Sequence, residues 1–128
     1  MVNKLPKLPK KKSRASCVRL ADKWCSLYIR ARDGMCVICG STQNLQNGHL
    51  FSRVSYITRW CEVNCHCQCR DCNNLHEYNP HLFTNWFIHK FGVKKYDWLL
   101  AKHNGIKKFK DFELLDIADY YKTKLEKL

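Results

Sequence analysis

A chain of 128 residues has room for one domain, and a core of that size gains from a structural metal. It holds 23 basic and 11 acidic residues, a formal charge of +12, and no apolar run approaches the length needed to span a bilayer. Those numbers exclude a membrane-spanning apolar helix and point to a polyanionic partner, nucleic acid first.

Residues 1–14, MVNKLPKLPKKKSR, hold six of the basic residues and no acid. Pro6 and Pro9 withhold backbone donors and the lysines repel one another, so a disordered basic arm is expected, with Lys10, Lys11 and Lys12 against phosphates. A solubilising tail is the plainer alternative. The remaining residues still carry +6, seventeen basic against eleven acidic, so the arm is not the whole of the charge. Residues 15–128 are expected to form a single domain with a helical extension from about residue 80. No apolar leader opens the chain, so a cytoplasmic protein is expected, a host-cell one if phage-encoded. The nine cysteines then read as metal ligands and reduced thiols rather than disulfides.

A helix is expected from Ser16 to Arg32, with Val18, Ala21, Cys25 and Tyr28 at helical spacing, Ser16 as its cap and Gly34 as a left-handed stop. Cys17 and Cys25 read as small core residues. Residues 35–40, MCVICG, form a metal knuckle. A short strand over Leu45–Leu50 should enter a turn at Asn47-Gly48, and residues 57–65, with Ile57, Trp60 and Val63, should be the returning strand. A helix from Arg70 to about Tyr78 ends before Pro80. Further helices are expected over His81–Phe91 and Lys95–His103. The last is capped by Asp111 and carries the stripe Leu114, Ala118, Tyr121, Leu125 and Leu128. That stripe suits a core or a partner helix, which keeps a homodimer seam open.

Cys36, Cys39, Cys69 and Cys72 make two Cys-x-x-Cys pairs, the spacing of a closed tetrahedral zinc site. Such a site is structural, because four thiolates leave no position for water. Cys61, Cys65, His66 and Cys67 could form a second site, but neighbours on a strand point to opposite faces. His49 follows a glycine at a strand end. A neutral imidazole there can take a proton from water, and Asn64 and Asn73 accompany it. Glu77 and His76 lie one helical turn beyond Asn73, on the same side of that helix. Arg53 and Arg59 are candidates to hold phosphates, and Tyr56 and Trp60 to stack on bases or be buried.

Cys36-x-x-Cys39, Gly48-His49-x-x-Ser52-Arg53, Arg59-Trp60 and Asn64-x-His66-x-Gln68-Cys69-x-x-Cys72-Asn73 resemble the HNH, or ββα-metal, endonucleases in a His-Asn-Asn form. With Phe91-Gly92 and Tyr96-Asp97-Trp98-Leu99, the string is more closely similar to the phage recombination family NinG (Rap), nucleases directed at branched DNA and Holliday junctions. The resemblance spans about residues 34–105. It implies an α+β fold with a small zinc-stapled HNH-like core between N- and C-terminal helices. It implies a metal-dependent DNA endonuclease with His49 as general base and also beside the catalytic magnesium or manganese. Asn73 would be a ligand to that metal, which Glu77 or His76 could also face, oxygen ligands favouring magnesium or manganese, and Asn64 a brace for the loop and for His49. The chain departs from many HNH enzymes at Gly48, where those place a ligand. A zinc-containing DNA-binding module without catalysis is the main alternative. A protein-interaction adaptor is a third.

Overall fold

The computed structural model describes residues 11–128, so Lys10 and most of the expected basic arm lie outside the described residues. The elements are α1 (Arg14–Asp33), β1 (Leu45–His49), α2 (Tyr56–Arg59), β2 (Cys65–Cys69), α3 (Arg70–Tyr78), α4 (His81–Phe91), α5 (Val93–His103) and α6 (Asp111–Glu126).

Helix α1 begins two residues earlier than expected, because Ser13 and not Ser16 caps it: the Ser13 hydroxyl accepts the Ser16 N–H at 3.1 Å. Gly34 ends it in the left-handed region (φ 72°), its N–H returning to the Arg30 carbonyl at 2.9 Å. Arg14, counted in the arm from sequence, is helical and donates to the Phe109 carbonyl at 2.7 Å and to Asp111 at 3.1 Å. Asp111 is the first helical residue of α6 and Lys110 is the cap, so the expected cap lies one residue late.

Helices α1 and α6 run parallel: Arg14 meets Asp111 at their starts, and the Tyr28 and Tyr121 rings lie 5.6 Å apart further on. Cys17, Ala21, Cys25 and Ile29 of α1 are buried with Leu114 and Tyr121 of α6. The apolar stripe of α6 therefore covers α1 of the same chain over Leu114, Ala118 and Tyr121, while Leu128 remains exposed.

The sheet has two antiparallel strands, with Leu45 opposite Cys69 and His49 opposite Cys65. Its second strand lies at residues 65–69, not at 57–65. Residues 56–59 form the short helix α2, because their apolar side chains follow a three-to-four repeat. Tyr56 and Trp60 pack together against Phe109, and Thr58 faces His103 of α5. Both faces of the sheet are covered, so every residue of β2 is buried. Cys65 and Cys67 join the α1–α6 core. His66 packs among Phe83, Trp86, Phe87 and Phe91 of α4, beside a second core formed by Leu50, Phe83, Phe87 and Leu99.

Asn47-Gly48, expected as a turn, lies within β1 opposite His66 and Cys67. Glycine is needed there for close approach: a β-carbon on residue 48 would stand 2.3 Å from the Gln68 amide oxygen and 3.0 Å from the His66 carbonyl. Gln68 is fully buried, and the His66 oxygen is backbone. Gly48→Ala should therefore cost about 1–3 kcal/mol, the range for overpacking a filled interior, read as a lower urea midpoint with an unchanged slope.

Candidate metal centre and active site

Two turns of the same design bring four sulfurs together. In each Cys-x-x-Cys the amide of the second cysteine points back at the sulfur of the first, Cys39 to Cys36 and Cys72 to Cys69, both at 3.5 Å. Gly40, at φ 78°, closes the first turn with its N–H on the Cys36 carbonyl at 2.9 Å. Val37 fastens that turn to the sheet by donating to the Cys67 carbonyl at 2.9 Å. Cys69 ends β2 and caps α3 with its sulfur.

The ligand atoms of Cys36, Cys39, Cys69 and Cys72 all lie within 4.8 Å of one another, the one such group found among the described residues. Burial pushes the Cys36 thiol up, but amide hydrogen bonds outweigh it and bring it down to about 7. Burial and the neighbouring thiols push Cys72 up. Four soft donors this close suit a structural ion such as zinc. Cys65 and Cys67 do not join a second cluster: both are buried in the α1–α6 core, and burial holds the Cys65 thiol well above its usual range and Cys67 at about 11.

Strand β1 and helix α3 line a cleft of about 520 Å³ that collects His49, Arg53, Asn73, His76 and Glu77. A second cleft shares His49, Arg53 and Asn73 with the first and adds Asp22 and Gln46.

The His49 Nε2–H donates to the Arg59 carbonyl at 2.9 Å, which leaves Nδ1 without a partner among the described residues. Burial pushes the imidazole down to about 4; the Arg59 carbonyl opposes this and the Arg53 charge assists it. His49 is thus neutral at pH 7. Its folded value lies below the unfolded value, so its contribution to stability is complete above about pH 6.5 and is lost as pH falls through 4. If His49 is the base, cleavage should not lose rate through its protonation between pH 8 and 6. A pH–rate profile with an acid limb near 6.5 would contradict that.

Asn73 donates its amide to Gln46 Oε1 at 2.9 Å, and its own carbonyl oxygen remains available to the cleft. His76 donates Nε2–H to the Leu50 carbonyl at 3.0 Å; its Nδ1 is buried and unpartnered, with the ring against Phe83. Glu77 is exposed on the cleft wall, as is Arg53.

Asn64 lies outside the cleft and is fully buried. Its side chain accepts the Phe51 N–H at 2.8 Å and donates to the Phe51 and Thr58 carbonyls, both at 3.0 Å, tying the exit of β1 to α2. Arg59, expected to hold phosphates, forms a two-pronged pair with Asp22 at 2.9 and 2.6 Å and donates to the Arg53 carbonyl. Its guanidinium is largely buried, so the structure corrects that expectation. Trp60 is buried, its indole N–H on Asp22 at 2.9 Å, while Lys11 and Lys12 are exposed. Asp22 escaped sequence reasoning. The available signal was its isolation: it is the sole acid in the first 32 residues.

These features define a small α+β domain, a two-stranded sheet among helices, with a four-cysteine cluster able to hold a metal where sheet and helix meet. No helix among the described residues is long and apolar enough to cross a membrane. The chain belongs to the bacteriophage lambda NinG protein family, whose profile matches residues 3–128. Searches of curated proteins and of solved structures return no match.

Proposed function

We propose that this protein is a metal-dependent DNA endonuclease that hydrolyses phosphodiester bonds in branched DNA, Holliday junctions included, during phage recombination. One observation carries the reading: the partner-free Nδ1 of His49 and the unengaged carbonyl oxygen of Asn73 serve the same cleft, with the Arg53 cation on its wall. The order β1, β2, α3 with a sulfur cluster at the β2–α3 joint supports it, as does membership of the phage family.

In this mechanism His49 Nδ1 takes a proton from water. The water oxygen attacks the phosphorus in line, the bond from phosphorus to the 3′ oxygen breaks, and that oxygen takes a proton from solvent, giving 5′-phosphate and 3′-hydroxyl ends. Asn73 Oδ1 would be the first ligand for magnesium or manganese, with Glu77 a more accessible companion than His76. The ion, when bound, neutralises charge on the phosphoryl and leaving oxygens. Arg53 holds a neighbouring phosphate, and Asn64 keeps the loop between β1 and α2 in place. The cysteine cluster would hold a structural ion such as zinc and do no chemistry. Two nicks across a junction suit a homodimer.

The test is cleavage of supercoiled plasmid, linear duplex and a synthetic four-way junction with magnesium or manganese, then with EDTA. Metal-dependent cutting of the junction alone is expected. Equal cutting of all three keeps the chemistry and removes the branch preference. Salt-sensitive binding with no cutting makes the protein a zinc-containing DNA-binding module.

A further inference from the structure

The Asp22 carboxylate on α1 gathers three donors from the C-terminal end of α2: Arg59 Nε and the Trp60 indole N–H on Oδ1, each at 2.9 Å, and Arg59 Nη2 on Oδ2 at 2.6 Å. The backbone between those side chains carries the Arg59 carbonyl. That carbonyl accepts His49 Nε2–H at 2.9 Å, with the Cys65 thiol a second donor at 3.4 Å. Trp60 is also held from behind, where its carbonyl accepts the Tyr121 hydroxyl. We infer that Asp22 is a positioning residue for His49. It anchors Arg59 and Trp60 so that one fixed carbonyl keeps the imidazole proton on Nε2 and leaves Nδ1 bare toward the cleft.

The chemistry favours this role over a surface ion pair. Two of the three donors belong to a side chain that is largely buried, and the third to a buried indole. Burial would raise the Asp22 carboxyl, but the bonds from Arg59 outweigh it and hold the group charged. A carboxylate with three donors is a stiff anchor. An imidazole bonded to a rigid carbonyl has one tautomer, and the wrong tautomer presents a hydrogen where a base is needed. The inference rests on reading His49 as the base, and a spectroscopic arm separates the two.

Asp22→Asn keeps Oδ1 and loses the charge; Asp22→Ala loses all three bonds. Partners one shell removed from a reacting group typically matter by 10–100-fold, so kcat should fall about tenfold in the first variant and about a hundredfold in the second, with KM within about twofold. The nitrogen-15 spectrum of the His49 ring should show one neutral tautomer with the proton on Nε2 in the wild type, and a mixture in Asp22→Ala. Should Asp22→Ala fail to fold, the Asp22→Leu, Arg59→Met pair removes both charges while keeping volume, and the same spectral change is expected. A wild-type kcat in Asp22→Ala, or a rate loss matching only its unfolded fraction, overturns the proposal, as does an unchanged His49 spectrum. A wild type that cuts no DNA removes the nuclease reading, and the spectra alone then decide whether Asp22 sets the tautomer.

Discussion

Replacing His49 with alanine should lower cleavage of a four-way junction by about 10²–10⁴-fold, the range that a positioned general base supplies. The loss should appear in kcat, because a water-activating group contributes nothing to holding the substrate phosphate. DNA binding should survive, since Arg53 and the exposed Lys11 and Lys12 are untouched. The side chain is partly buried and makes one hydrogen bond, so the variant should lose no more than about 1–2 kcal/mol of stability, visible in a melt run beside the assay. Cleavage within threefold of wild type would mean that another group activates the water.

The second large effect is expected from Cys69→Ser. Cys69 is at once the last residue of β2, the cap of α3 and one of the four clustered sulfurs. Helix α3 is nine residues long and contains no buried residue, so neither a core nor its own length can hold it. Its place depends on the sulfur cluster at one end and on bonds such as Asn73 to Gln46 and His76 to Leu50. Metal analysis should find about one equivalent of zinc in the wild type and a sharply reduced content in the variant. Amide exchange should rise across residues 70–78, while α1 and α6 stay protected by their own core. Since α3 carries Asn73, cleavage should fall at least about a hundredfold with it. An intact α3 with full activity in zinc-free protein would remove the clamp from the account.

Several parts of this picture were legible in the sequence. The two Cys-x-x-Cys pairs gave the metal cluster, because spacing and ligand chemistry are local. Helices α3 and α4 were readable from Pro80 and Gly92 punctuation and from apolar spacing. The strand expected at residues 57–65 was misread because β2, buried on both faces, shows no alternation. Its CHCQC run resembles metal ligands more than a core strand. Gly48 was read as a turn, since a glycine after asparagine signals one; its real constraint, the Gln68 side chain across the sheet, is not local. Arg59 was read as a phosphate contact for the same reason, its partner Asp22 lying 37 residues away on another helix. The residues of the cleft could be named one by one, but the bonds that orient them could not.

The parallel pairing of α1 with α6 bears on how the protein is made. Helix α1 shares its core with Trp60, Cys65 and Cys67, but completes it only with Leu114 and Tyr121 of α6, far along the chain. Until α6 has been made, the faces of Cys17, Ala21, Cys25 and Ile29 are incompletely covered and this core stays open. Nascent chains of this protein should therefore engage chaperones through their first helix, and a premature stop before α6 should yield an insoluble product rather than a shortened working one.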